Sequence, residues 1–166
     1  MTEMVENPDL LRRGQMLERS REVVPLTREL VREFLEERGL NYMVDKDGDF
    51  VVPFKTPYPQ HLVASFILDG AQKEVLEILI CVAPSPSMEE VEALRLVNAW
   101  NAEKRWPRTF YREGGLYLDW SEDWEYGVTP AILARTCDQV LVGAFLFVEK
   151  LNGGDPGNAL LRALRG

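Results

Sequence analysis

Residues 61–83 read HLVASFILDGAQKEVLEILICVA, and this stretch decides the fold. Two β-rich segments, His61 to Leu68 and Glu74 to Ala83, flank the turn-forming cluster Asp69-Gly70-Ala71-Gln72, so they are expected to pair as antiparallel strands. The second holds Leu76, Ile78, Leu79, Ile80, Cys81 and Val82 with imperfect alternation. So apolar a run belongs at the centre of a sheet.

Working outward, Asn41 to Asp45 and Asp49 to Phe54 read as a hairpin across the tight turn Asp45-Lys46-Asp47-Gly48. Pro53, Pro57 and Pro59 are expected to end its second strand, because each lacks an amide donor. Before it, Thr27 can cap a helix that carries Leu30, Val31, Phe34 and Leu35 on one face and stops at Gly39. After the central strands, Pro84-Ser85-Pro86-Ser87 breaks the chain. Ser87 with Glu90 forms a capping box for a helix through about Arg105. Arg108 to Arg112 and Leu116 to Trp120 make a second hairpin around Glu113-Gly114-Gly115. Thr129-Pro130 then opens a long helix to about Leu151.

The predicted order is therefore α-β-β-β(-β)-α-β-β-α. Helices kept apart from an antiparallel meander mean an α+β domain, not a doubly wound sheet. Residues 1–24 read as a charged N-terminal arm in which a helix from near Asp9 would show one narrow apolar stripe. Residues 25–152 form the single domain, and 153–166 hold the break Gly153-Gly154-Asp155-Pro156-Gly157 and a short terminal helix.

At 166 residues with a net charge of −8, the chain can build a core, but its dispersed Lys and Arg offer no stripe for phosphates or an anionic membrane. The longest apolar run, Val140 to Val148, is nine residues and falls short of a bilayer span. The N-terminus lacks a basic region followed by an apolar one, so it is not read as a secretory signal. Cys81 and Cys137 both sit in apolar surroundings, read as small core residues rather than a disulfide, and point to the cytoplasm.

No motif for catalysis, cofactor or metal binding emerges. His61 is the single histidine, without a second ligand or a nucleophile near it in sequence. Asp45-Lys46-Asp47-Gly48-Asp49 has its glycine in the fourth place and Thr56 in the twelfth, which no calcium loop tolerates. An enzyme built on scattered carboxylates such as Asp119 and Glu122 is the weakest reading. Asn98 and Asn101, three apart in the middle helix, read as structural amides that bond the backbone of the connection that follows. Trp120 and Trp124 lie in an acidic aromatic segment suited either to closing the core or to contacting a partner. In the last helix Val142, Phe145 and Leu146 extend apolarity around the core face, more than one sheet can cover.

Several features together resemble the YbjN family, also described as bacterial sensory transduction regulators, which are similar in fold to type III secretion chaperones. These are Asn98-x-x-Asn101, the aromatic strand Arg108-Thr109-Phe110-Tyr111, the glycine-turn hairpin and Gly127-Val128-Thr129 before the last helix. The opening helix ending at Gly39, Tyr42-Met43-Val44-Asp45 and Asp47-Gly48-Asp49 also suit it, so the likeness spans about 25 to 152. The resemblance implies helices packed on one face of a curved antiparallel sheet, frequent dimerisation, a regulatory or chaperone-like role and no catalysis. The expectation is a non-enzymatic protein-binding regulator, a homodimer that shelters or presents an apolar surface. The alternative is a small-molecule sensor with a pocket between sheet and helices, lined by Trp100, Trp106 or Phe110.

Overall fold

The computed structural model describes residues 21–154; the proposed arm, up to residue 20, and the tail from residue 155 lie outside the described residues. In order the elements are α1 (Arg28–Glu37), β1 (Met43–Val44), β2 (Phe50–Phe54), β3 (His61–Asp69), β4 (Val75–Ala83), α2 (Glu90–Glu103), β5 (Arg108–Arg112), β6 (Gly115–Asp123) and α3 (Pro130–Leu151). The strands form one antiparallel sheet in the order β1-β2-β3-β4-β6-β5. This is the expected α+β class. The meander runs from β1 to β4; α2 then carries the chain past one strand position, and β6 folds back beside β4.

β4 is internal, as its composition predicts, and its burial alternates strictly along all of its residues. Leu76, Ile78, Ile80 and Val82 point to the helices and are fully buried. The ladder sets Phe66, Ala64 and Leu62 of β3 and Leu118 of β6 on that same face. α1 contributes Leu30, Val31, Phe34 and Leu35, with the Phe34 and Phe66 rings 6.2 Å apart. α2 contributes Ala93, Val97 and Trp100, and α3 contributes Leu133, Cys137, Val140, Ala144, Phe147 and Val148. Trp100 meets Phe147 edge to face at 5.3 Å and donates its indole N–H to the Pro107 carbonyl, so this large ring is buried with its polar atom satisfied.

Thr27 caps α1 through the Leu30 amide and Thr129 caps α3 through the Ile132 amide, as their sequence positions predict. The capping box at Ser87 does not form. α2 starts at Glu90 with Glu89 as an N-cap that makes no side-chain bond, and it ends at Glu103 rather than Arg105. Pro84 and Pro86 bias their neighbours toward extended backbone, and Met88 packs against the core, so the helix begins beyond Ser87's reach. Pro53 does not end β2 either: it lies inside the strand opposite Val63. β1 pairs only with Phe50 and Val51, so Pro53's missing donor falls on an unpaired edge. The first hairpin turns through a wider loop than two residues, since Asp45 donates its amide to Asp49 and its carboxylate accepts the Asp47 and Asp49 amides. In the second hairpin Arg112 faces Gly115, so Glu113 and Gly114 are the turn, both with the positive φ that such a turn requires. β6 runs from Gly115 to Asp123, three residues past its expected end at Trp120.

Candidate functional site

Among the described residues, three helices lie toward one face of the sheet and none covers the other, which is called the bare face below. Its rows follow from the ladder: Pro53, Val63, Cys81, Tyr117 and Phe110 in one, Val51, Ser65, Leu79, Asp119 and Arg108 in the next. A third row is Ile67, Glu77 and Ser121. Val51, Val63, Ile67, Val75, Leu79, Cys81, Ala83, Phe110 and Tyr117 are all partly exposed there. A sheet face meant for water alternates apolar inside with polar outside. Here β4 is apolar on both faces but for Glu77, and Val63 and Ile67 of β3 with Val51, Phe110 and Tyr117 widen this to a patch on the order of 400 Å² at ordinary strand spacing. Sequence reasoning read β4 as central and missed this face; the imperfect alternation of 74–83 was the signal.

The rim of the bare face is polar and ordered. Arg108 grips Asp119 through two guanidinium nitrogens, the shorter contact 2.5 Å, and the carboxylate raises the guanidinium pKa. Phe110 and Tyr117 stack at 5.3 Å with Arg112 over both rings. The Cys81 thiol, also on this face, is shifted upward by burial, which disfavours the nucleophilic thiolate. Cys137 faces the opposite side, fully buried, and both cysteines are free.

The residues singled out for partner contact fall in two places. Trp120 and Trp124, with rings 5.7 Å apart, join Trp106, Glu122, Ile132, Thr136 and Gln139 in an open cleft of about 280 Å³ beside the first half of α3. Val142, Phe145 and Leu146 lie farther along that helix. Val142 is 45% exposed and Phe145 36%, although Phe145 still meets the Phe54 ring edge to face at 5.7 Å. The cause is a mismatch of lengths. α1 has 10 residues and α3 has 22, about 15 and 33 Å, and the Arg38–Asp138 ion pair marks where α1 ends against α3. Beyond that point α1 no longer flanks α3. α3 has the length and hydropathy of a membrane span, but its most apolar face is the core of this fold.

Of the two asparagines, only Asn101 bonds as expected. Its amide accepts from the Thr109 N–H at 2.8 Å and donates to the Thr109 carbonyl at 2.9 Å, occupying the open edge of β5 as a strand would. Asn98 is exposed on the outer side of α2. The helix turn that sends Val97 and Trp100 inward sends Asn98 out to water.

The residues of the alternative readings do not converge. Trp100 is core, Trp106 lines the cleft and Phe110 stacks on the bare face, so no single pocket holds all three. Asp119 lies on the bare face and Glu122 on the helix face, which excludes them as a catalytic pair. His61 is exposed at the first position of β3. Among the described residues, no three His, Cys, Asp or Glu side chains cluster as metal ligands.

A mixed-order antiparallel sheet backed by helices on one side defines the α+β fold class of this chain. The YbjN family model, described as "Putative bacterial sensory transduction regulator", matches residues 27–151, and the chain belongs to that family. A solved structure titled "Crystal structure of YbjN, a putative transcription regulator from E. coli" is similar in fold, with a TM-score of 0.62 at 15% identity, covering 80% of this chain and 95% of that one. A search of curated proteins finds no match.

Proposed function

We propose that this protein is a non-enzymatic cytoplasmic regulator with a chaperone-like mode of action, which works as a homodimer and binds a protein partner. The observation that carries the reading is the bare face of the sheet, where nine apolar side chains stand partly exposed with no helix of the described chain over them. Self-association across a two-fold axis covers the same patch on both copies. The patch alone would bury about 800 Å² in total, and the rim of His61, Glu77, Arg108 and Arg112 extends it toward the size of a specific interface, about 1,200 Å² or more. An interface of that size and wetness fits micromolar association. The opposite side of the molecule, with Val142, Phe145 and the tryptophan cleft, then stays free for a partner protein, in preference to nucleic acid or membrane.

Size-exclusion chromatography with light scattering tests the reading. Wild type should run as a dimer at about 100 µM and dissociate on dilution to about 1 µM, as a micromolar constant requires. Leu79→Lys, which puts a charge at the centre of the patch, should be monomeric at both concentrations while keeping its circular dichroism. A wild-type monomer throughout would reject the homodimer.

A further inference from the structure

The tryptophan cleft carries a chemistry more specific than apolarity. Trp106, Trp120 and Trp124 line it with Glu122, and Asp123 and Glu125 follow in the same exposed segment. Indole faces attract cations, and a carboxylate at the mouth strengthens that preference. Elsewhere the chain's own cations stand over rings: Arg28 and Arg32 over Phe50, Arg38 over Phe34, Lys104 over Trp100, Arg112 over Phe110 and Tyr117. Among the described residues, no Lys or Arg stands over Trp106, Trp120 or Trp124. Within the described residues, then, these three indoles and the Glu122 carboxylate share one cleft without a cation of their own.

We propose that this cleft binds the guanidinium of an arginine side chain presented by the protein partner. Arginine fits better than lysine because its planar head stacks on indole while its fork reaches the Glu122 carboxylate. A polypeptide fits better than a free small molecule because the cleft is open to solvent and, at about 280 Å³, would not enclose a drug-sized ligand. The inference rests on the reading that the protein binds another protein, but it concerns a different surface from the dimer face.

The test uses the full chain and the peptide acetyl-Gly-Arg-Gly-amide, read by tryptophan fluorescence. A saturable change is expected, and the peptide with citrulline, the neutral isostere of arginine, should bind about two- to thirty-fold more weakly, the range of a cation–π contact. Glu122→Gln, at an exposed position, should weaken the arginine peptide several-fold without changing the fold, and Trp124→Leu should remove the response. Equal binding of the citrulline peptide, no binding of either, or tighter binding of tetramethylammonium than of arginine would each overturn the proposal. Leu79→Lys separates the two readings: loss of the dimer with the arginine response intact is expected. A monomeric wild type that still binds the peptide would defeat the homodimer alone, and a dimer that ignores it would defeat the cleft alone.

Discussion

Replacing Asn101 by Ala should destabilise the protein far more than the same change at Asn98, although both are helical asparagines three residues apart. Asn101 satisfies the N–H and the carbonyl of Thr109, and Thr109's hydroxyl lies 3.1 Å from the same amide oxygen. Thr109 is 2% exposed, so water cannot easily take over the backbone groups that the mutation strands. An unsatisfied buried donor or acceptor costs about 1–3 kcal/mol, and the better helix propensity of Ala returns about half a kcal/mol. Because Asn101 itself is partly wet, the expected net loss is about 2 kcal/mol. Asn98→Ala removes no bond of that kind, and should be neutral or stabilise by about half a kcal/mol through propensity alone. Urea unfolding followed by circular dichroism measures both. Equal losses for the two variants, or a neutral Asn101→Ala, would refute the idea that this amide closes the edge of β5.

Gly143→Ala should destabilise despite the gain in helix propensity, because the new methyl would sit 2.4 Å from the Pro107 ring; thermal melting should show a lower midpoint, by about 1 kcal/mol of overpacking net. The Cys137 thiol gives a pH signature. Burial raises its pKa in the fold well above the usual value, so the folded state keeps its proton while the unfolded chain loses it. Stability is then fully present below about pH 8.5 and falls at higher pH by about 1.4 kcal/mol per unit. Cys137→Ala should show a shallower slope, retaining only the part due to Cys81, which unfolding curves at pH 8 and pH 10 compare directly. Val142→Asp lies at a solvent-exposed position of α3 and should leave stability within about 1 kcal/mol, whereas Phe145→Asp also gives up the edge-to-face contact with Phe54 and should cost about 1–3 kcal/mol; a partner that docks there should be lost in pull-down with the purified Val142→Asp protein.

The fold was largely legible because its local signals agree with its global arrangement. Thr27 and Thr129 cap helices where they stand, the Glu113-Gly114 turn fixes the hairpin, and the apolar run 76–82 marks the central strand. What stayed hidden depends on neighbours distant in sequence. That β6 rather than β5 lies beside β4 is set by α2's crossover, and no residue in either strand announces it. The tryptophan cleft was half visible: Trp120 and Trp124 stand in an acidic aromatic run, but Trp106 and Ile132 join them only through packing. The last helix was expected to be too apolar for one sheet to hide, and Val142 and Phe145 remain exposed past the end of α1. Among the described residues the larger uncovered surface is the back of the sheet, and one imperfectly alternating strand cannot reveal which of its faces the helices take.

Cys81 provides a native reporter on that back face, since Cys137 is fully buried and does not compete for reagent. The decisive measurement is the rate at which a thiol reagent modifies Cys81 at increasing protein concentration. If two copies cover this face, the rate should fall steeply as concentration passes through the micromolar range, and Leu79→Lys should react fast throughout. A rate independent of concentration in the wild-type protein would mean that the bare sheet is not where copies meet.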